Sequence, residues 1–375
     1  MATSISEYFA DLPDPRRAQG RRHNLSDMIV IAVTAVICAA DSWSDVHEFG
    51  RAKQKWFKTF LDLPYGITSQ DTFERVFARL DPDAFDRCFM AWTQALSVST
   101  GGQLVAIDGK RIRRSFAHAW SHTTATHLIS AFVTSNATVF AQLAVDVKEN
   151  EITGIPRLLE LLDLHGATVT IDAMGCQTAI AGQIVAQGGD YVLCVKDNQP
   201  GLAQALHTDL ADLIRTKFAG VPHDVCETVD GDHGRIETRR VWTTSQIDWL
   251  GAEQSRWPGL RSVAVVESIR EVPPKEATSE RRYYISTLDG SDARRMAEVI
   301  RGHWGIENKL HYALDVSFAE DQCRVRKGHA AENFSRIRRL ALNLLRKETS
   351  KKRGIKGKRL AAAWDHDYLL KILSG

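Results

Sequence analysis

Three apolar, strand-like runs stand in direct succession from residue 103: QLVAID (103–108), HLISAFVT (127–134) and TVFAQLAVDV (138–147). A helical stretch, IPRLLELLDL, then leads to another strand, ATVTIDAM. A further helix, about Gln177 to Gln187, leads to DYVLCVKDNQ. Strands in sequence followed by alternating helix and strand call for an α/β fold, with one mixed sheet and helices on its faces.

The rest of the 375-residue chain is arranged around that core and is long enough for two or three domains. Residues 1–98 read as an α-helical N-terminal domain. Ser26 is the expected cap of the apolar helix at Met28. A second helix follows Ser44 with Val46, Phe49, Trp56, Phe57 and Phe60 at helical spacing, and two more lie in SQDTFERVFARLDP and DAFDRCFMAWTQALSV. Residues 99–200 hold the first part of the core, and 201–290 form a β-rich insertion carrying RIETRRVWTT, LRSVAVVESIRE and RRYYISTL. Residues 291–347 return to helices, about Asp292 to Leu314 and Ala330 to Lys347, and 348–375 form a basic tail.

Net charge is only +2, but the basic residues are clustered. Arg16, Arg17, Arg21 and Arg22 gather near the start and RKETSKKRGIKGKR near the end. With Arg324, Arg326, Lys327, Arg336, Arg338 and Arg339 they point to a polyanion partner. Six scattered cysteines without a CxxC pair fit a reduced, cytoplasmic setting and exclude a zinc ribbon. The run MIVIAVTAVICAA is too short to span a bilayer and lacks the features of a signal peptide, so a buried helix is expected and no membrane partner.

Two of the strands end on an acid, Asp108 in LVAIDGKR and Asp172 in VTIDAMG. Ligands of open α/β sheets bind beyond the carboxyl ends of the strands, so the two carboxylates can face one small volume. Either acid alone also suits a plain turn or helix cap. A third, Glu307, lies mid-helix in RGHWGIENKLHYALDVSFAED, with His303, Trp304, Leu310 and His311 expected on its face. Gly302 and Gly305 would let another backbone approach closely. Glu320 and Asp321 are rival third acids, and Asp197 is a further rival ligand. Lys196, Asn198 and Gln199 follow a core strand, where they can touch DNA, orient the acids, or simply form a turn. His118, His122 and His127 lack the Glu of HExxH and read as a polar loop, and VAIDGKR is not a phosphate-cradling P-loop.

Two carboxylates ~4 Å apart repel by about 4 kcal/mol at an effective dielectric of 20. Such a cluster stays ionised only beside cations, and an all-oxygen donor set selects Mg²⁺ or Mn²⁺. Two such ions can activate a nucleophile and stabilise a leaving oxygen of a phosphodiester. Lys110 and Arg111, next to Asp108, would then hold phosphate, as would Lys196, Arg301 and His303.

Taken together, AIDGK, TIDAMGCQ, YVLCVKDNQ, HGRIETR and HWGIENKLHYALDVSFAED resemble the DDE transposases of bacterial insertion sequences, and most nearly the H-repeat-associated branch. The likeness covers nearly the whole chain, including LPDPR near its start. It implies an RNase H-like core holding Asp108, Asp172 and Glu307 with two Mg²⁺ ions (Mn²⁺ as substitute). It further implies cleavage at transposon ends in double-stranded DNA, joining of the 3′-OH to target DNA, and a homodimer on paired ends. The chain departs from the Y-x2-R-x3-E-x6-K pattern of the wider group, with Ile300, His303 and Leu314 at those three positions. A metal-dependent nuclease without strand transfer and a catalytically silent DNA-binding descendant are the alternative functions.

Overall fold

The computed structural model describes residues 4–96, 102–115, 125–145, 151–232 and 234–374; His118 and His122 lie outside them. The chain opens with α1 (Ser4–Tyr8), α2 (Leu25–Ile37), α3 (Trp43–Ala52), α4 (Gln54–Phe57), α5 (Gln70–Arg79) and α6 (Pro82–Leu96). Every α2 residue except Ser26 is buried, as befits a helix apolar all round. The cap position is Asn24, not Ser26; its side chain makes no cap hydrogen bond, and its Nδ2 reaches the Asp27 carboxylate at 3.4 Å. Ser42 caps α3 by accepting from the Asp45 amide, and Ser69 caps α5 by accepting from Thr72. The single helix expected from Ser44 to Phe60 is divided at Lys53.

The sheet follows: β1 (Leu104–Arg111), β2 (His127–Val133), β3 (Thr138–Val145), α7 (Glu151–Glu160), β4 (Thr168–Ile171), α8 (Thr178–Ala186), β5 (Asp190–Val195) and α9 (Pro200–Arg215). Then come β6 (Asp224–Asp232), β7 (Arg235–Thr244), α10 (Ala252–Arg256), β8 (Ser262–Glu271) and β9 (Thr278–Ser286). All nine strands form one mixed sheet in the order β3-β2-β1-β4-β5-β9-β8-β7-β6. The strand-rich segment after residue 200 therefore extends the core sheet, because β9 pairs antiparallel with β5 from Val192–Ser286 to Val195–Tyr283. The parallel β1–β4–β5 trio is buried and apolar, as strands covered on both faces must be.

Past the sheet lie α11 (Ala293–His303), a π-helical turn (Ile306–His311), α12 (Tyr312–Phe318), α13 (Ala330–Lys347), α14 (Ile355–Trp364) and α15 (His366–Leu373). Helix α13 packs against α2, α5, α6 and β3, so one apolar core runs from Ile5 to Leu373. This corrects the charge reading. Arg336, Arg338 and Arg339 are buried in α13: Arg336 is held by Asp86 (Nε–Oδ1 2.6 Å), Arg339 by Glu320 (3.0 Å), and Arg338 lies over the Phe334 ring. The basic tail expected after Lys347 is α14 and α15, where buried Lys358 donates to the Leu345 carbonyl and Arg359 to that of Val36. Among the described residues no helix is long and apolar enough to cross a membrane.

Candidate active site

The β1–β4 ladder ends at the pair Ile107–Ile171. The next residues are Asp108 and Asp172, which leave the ladder side by side. Asp108 does not end its strand, however: β1 runs on to Arg111, paired with β2 alone. Only the parallel partner stops, and that opens a gap beside Asp108. Asp172 also caps the short turn Ala173–Gly175, accepting from the Met174 amide at 3.1 Å. Asn198 donates to the Ala173 carbonyl (2.7 Å) and Gln199 to that of Cys176 (2.9 Å), so the loop after β5 fixes the Asp172 turn.

The turn that carries Glu307 packs against β1. The helix expected to run unbroken to Leu314 is interrupted after His303, and the π-helical turn shifts its phase. Ile306 and Leu310 face the core while Glu307 is exposed; such turns recur at functional sites. Gly302 lets α11 come down on β1, since a Cβ there would collide with Leu104. Of the expected face, His311 turns to the acids, with Nδ1 3.4 Å from Asp108 Oδ2. His303 instead meets the Thr170 hydroxyl (3.1 Å). Burial and the cations Lys110 and Arg339 push His311 down to about 3. Burial pushes His303 down to about 4, so both rings are neutral at pH 7. With the ring neutral, the His311–Asp108 contact is a close polar approach and not an ion pair.

One acid escaped the sequence reading. Glu151, the first residue of α7, sits against Gly109, where a Cβ would collide with its carboxylate, and its Oε1 lies 2.9 Å from His127 Nε2. Burial raises the Asp108 carboxyl to about 7, helped by the charges of Glu151, Asp172 and Glu307, in that order. Burial and Glu151 likewise raise Asp172, against its backbone hydrogen bonds and the charge of Lys196.

The neighbouring cation does not relieve these acids. Lys110 is buried and bonded to Asp315 on α12, with Glu320 Oε2 at 3.4 Å. Burial alone would raise Glu320, but Arg339, Lys110 and Arg338 outweigh it and hold the carboxyl low. Asp321 is paired with Arg113 at 3.2 Å. Glu320 is therefore committed to its cations, Asp321 among the described residues meets only the largely exposed Arg113, and Lys110 has no free ammonium to offer a phosphate.

Two orphaned groups lie at the acids. Among the described residues Ser130, opposite Asp108 in the β1–β2 register, is wholly buried with no partner for its hydroxyl, and His311 Nε2 has none either. Leaving a buried polar group unmatched costs about 1–3 kcal/mol. An all-carboxylate donor set short of positive charge suits a hard divalent cation. Among the described residues no three His, Cys, Asp or Glu side chains stand close enough together to hold a metal ion as they are placed.

A groove of 1370 Å³ runs beside the Glu307 turn, between β6–β9, α11 and the start of β1. Arg235, Arg270, Arg295 and Lys309 line it, together with Arg301, whose guanidinium meets Asp230 at 2.7 Å. The Arg282 guanidinium stacks 4.9 Å from the Trp304 ring in its wall. Arg111 and Lys196 are exposed nearer the acids.

A family model described as the transposase DDE domain matches residues 99–344, and a companion model for the region associated with that domain matches residues 6–93. The protein YbfL of Escherichia coli (strain K12) is 38% identical over 374 residues, covering 99% of this chain and 98% of that one. YncI of Escherichia coli O157:H7 is 39% identical over 375 residues (99% and 94% covered). The H repeat-associated YhhI of strain K12 is 38% identical over 374 residues (99% and 98%). The last two carry provisional transposase names.

Proposed function

The chain belongs to the DDE-domain transposases, and we propose that it cuts insertion-sequence ends in double-stranded DNA and joins the released 3′-OH to target DNA. In this reading the sheet around β1, β4 and β5 is an RNase H-like core, and Asp108, Asp172 and Glu307 are the catalytic carboxylates. The observation that carries it is the joint exit of Asp108 and Asp172 from the last β1–β4 rung, with the turn that carries Glu307 packed against β1.

These three acids would hold the two divalent ions, Mg²⁺ or Mn²⁺, on which the family depends. Bound there, the ions supply charge neutralisation and activation of the attacking oxygen. The protein's own groups do the rest. His311 orients the Asp108 carboxyl, and the Asn198–Ala173 bond fixes the Asp172 turn. Water attacks the phosphodiester at the element's end, its oxygen bonds phosphorus, and the bridging P–O3′ bond breaks. The freed 3′-OH then attacks a target phosphodiester and displaces a target 3′ oxygen.

Arg111 and Lys196 grip phosphates near the acids, and the arginine-lined groove with Arg301 tracks the flanking duplex. Lys110 and His303, expected among the phosphate contacts, are assigned structural roles, since one is buried in an ion-pair network and the other is neutral against Thr170. Two copies act together on paired ends. Incubating the protein with pre-cut ends, target DNA and Mn²⁺ tests the assignment. Joined product is expected; cutting of uncut ends with no joined product would reduce the protein to a nuclease.

A further inference from the structure

We propose that Glu151 is a fourth anionic arm of the cation site at Asp108 and Asp172, held in place by His127; this rests on the functional reading above. The three-acid pattern has no place for it, yet its position is built. Helix α7 starts at Glu151 and packs on β2, β3 and the Asp172 turn. Gly154 permits that approach, since a Cβ there would lie 2.6 Å from Ile129 Cδ1 and 2.8 Å from Val145 Cγ2. Gly109 clears the space for the carboxylate itself, and His127 Nε2 fixes one of its oxygens at 2.9 Å.

The side chain is only 13% exposed, so its charge is poorly screened by solvent. Without a cation, placing a carboxylate there is unfavourable for the fold. Its carboxylate lies against Gly109, the residue that directly follows Asp108 on β1. Such a carboxylate becomes favourable there once a cation is present to offset it. Among the described residues the buried Ser130 hydroxyl, cross-strand from Asp108, has no partner, so the Asp108 face of the strand also carries an unmatched polar group.

The test uses the full-length protein without DNA. Free Mn²⁺ is titrated and followed by electron paramagnetic resonance, and melting is recorded in chelator. Glu151→Gln is expected to weaken Mn²⁺ binding about 10–100-fold, the scale of loss when a supporting partner is removed from a metal site. It is also expected to raise the melting temperature of the metal-free protein. A merely structural glutamate would do the opposite, lowering the melting temperature and leaving Mn²⁺ affinity alone; that result overturns the proposal. Glu151→Asp keeps the charge on a shorter arm and is expected to retain more of the affinity than Glu151→Gln; equal loss in both also overturns it. Asp108→Asn separates the two levels. If it abolishes Mn²⁺ binding while Glu151→Gln binds as wild type, the site stands and the role of Glu151 falls. If Asp108→Asn binds Mn²⁺ as well as wild type, the site assignment itself has failed.

Discussion

Asp315 on α12 is the partner of Lys110, two residues past Asp108 on β1, and it lies one turn beyond the His311 that meets Asp108. The segment that carries Glu307 is therefore tied to the strand that carries Asp108 by the Lys110–Asp315 ion pair and the His311 contact, and Glu320 and Arg339 extend the tie into α13. Lys110→Met removes one of the cations that hold the fully buried Glu320, leaving it to Arg339, Arg338 and the Ser335 hydroxyl. Breaking a buried pair from one side costs on the order of 3 kcal/mol, and urea unfolding should show a loss of that size. DNA affinity should hardly change, because the ammonium does not face the groove. A large loss of affinity at unchanged stability would return Lys110 to the phosphate contacts.

The Asp108 carboxyl, pushed up to about 7 chiefly by burial and then by Glu151 and Asp172, makes the metal-free fold pH-sensitive. It binds its proton more tightly folded than unfolded. Its contribution to stability is therefore complete below the unfolded value of 3.8 and is lost as pH rises through about 7. The difference amounts to on the order of 4 kcal/mol across that window. In chelator, the stability gap between wild type and Asp108→Asn should widen in favour of the variant from pH 4 to pH 8. Parallel profiles would show that the carboxyl is not so perturbed.

The groove residues Arg270 and Arg295 should each contact one phosphate if the flanking duplex lies there. Each alanine substitution should then weaken binding to unrelated sequences alike and make the slope of log affinity against log salt shallower by about 0.9. Fluorescence anisotropy at several salt concentrations reads both effects. An unchanged slope in both variants places the duplex elsewhere.

What could be read in advance follows from how local each signal is. The strand, helix and strand alternation from residue 103 was legible because period and turn residues are local, and Asp108 and Asp172 were legible because each sits beside an apolar run. The buried arginines of α13 were not. Their partners Asp86 and Glu320 are 250 and 19 residues away, and only packing reveals them. The same holds for the end of the chain, where the aliphatic and aromatic residues of α14 and α15 bury their basic neighbours. Glu151 was hidden for a related reason. It lies just ahead of the helical stretch, in KENEITG, with only its pairing across to Gly109 and His127 to mark it. The acid at a helix start, facing a glycine that directly follows a strand acid, was the available clue. The π-helical turn has no period of its own in six residues, so the phase of Glu307 could not be anticipated.

The central claim is that Asp108, Asp172 and Glu307 act together on divalent ions to break and join DNA. The most direct measurement is Mn²⁺-dependent nicking and joining of the element's own ends by wild type and by Asp108→Asn, Asp172→Asn and Glu307→Gln, with DNA binding recorded in parallel. The expected result is activity in wild type only with Mn²⁺, a loss of at least about 10³-fold in each variant, and retained binding. Cleavage at the wild-type rate by any one of the three variants would contradict the account.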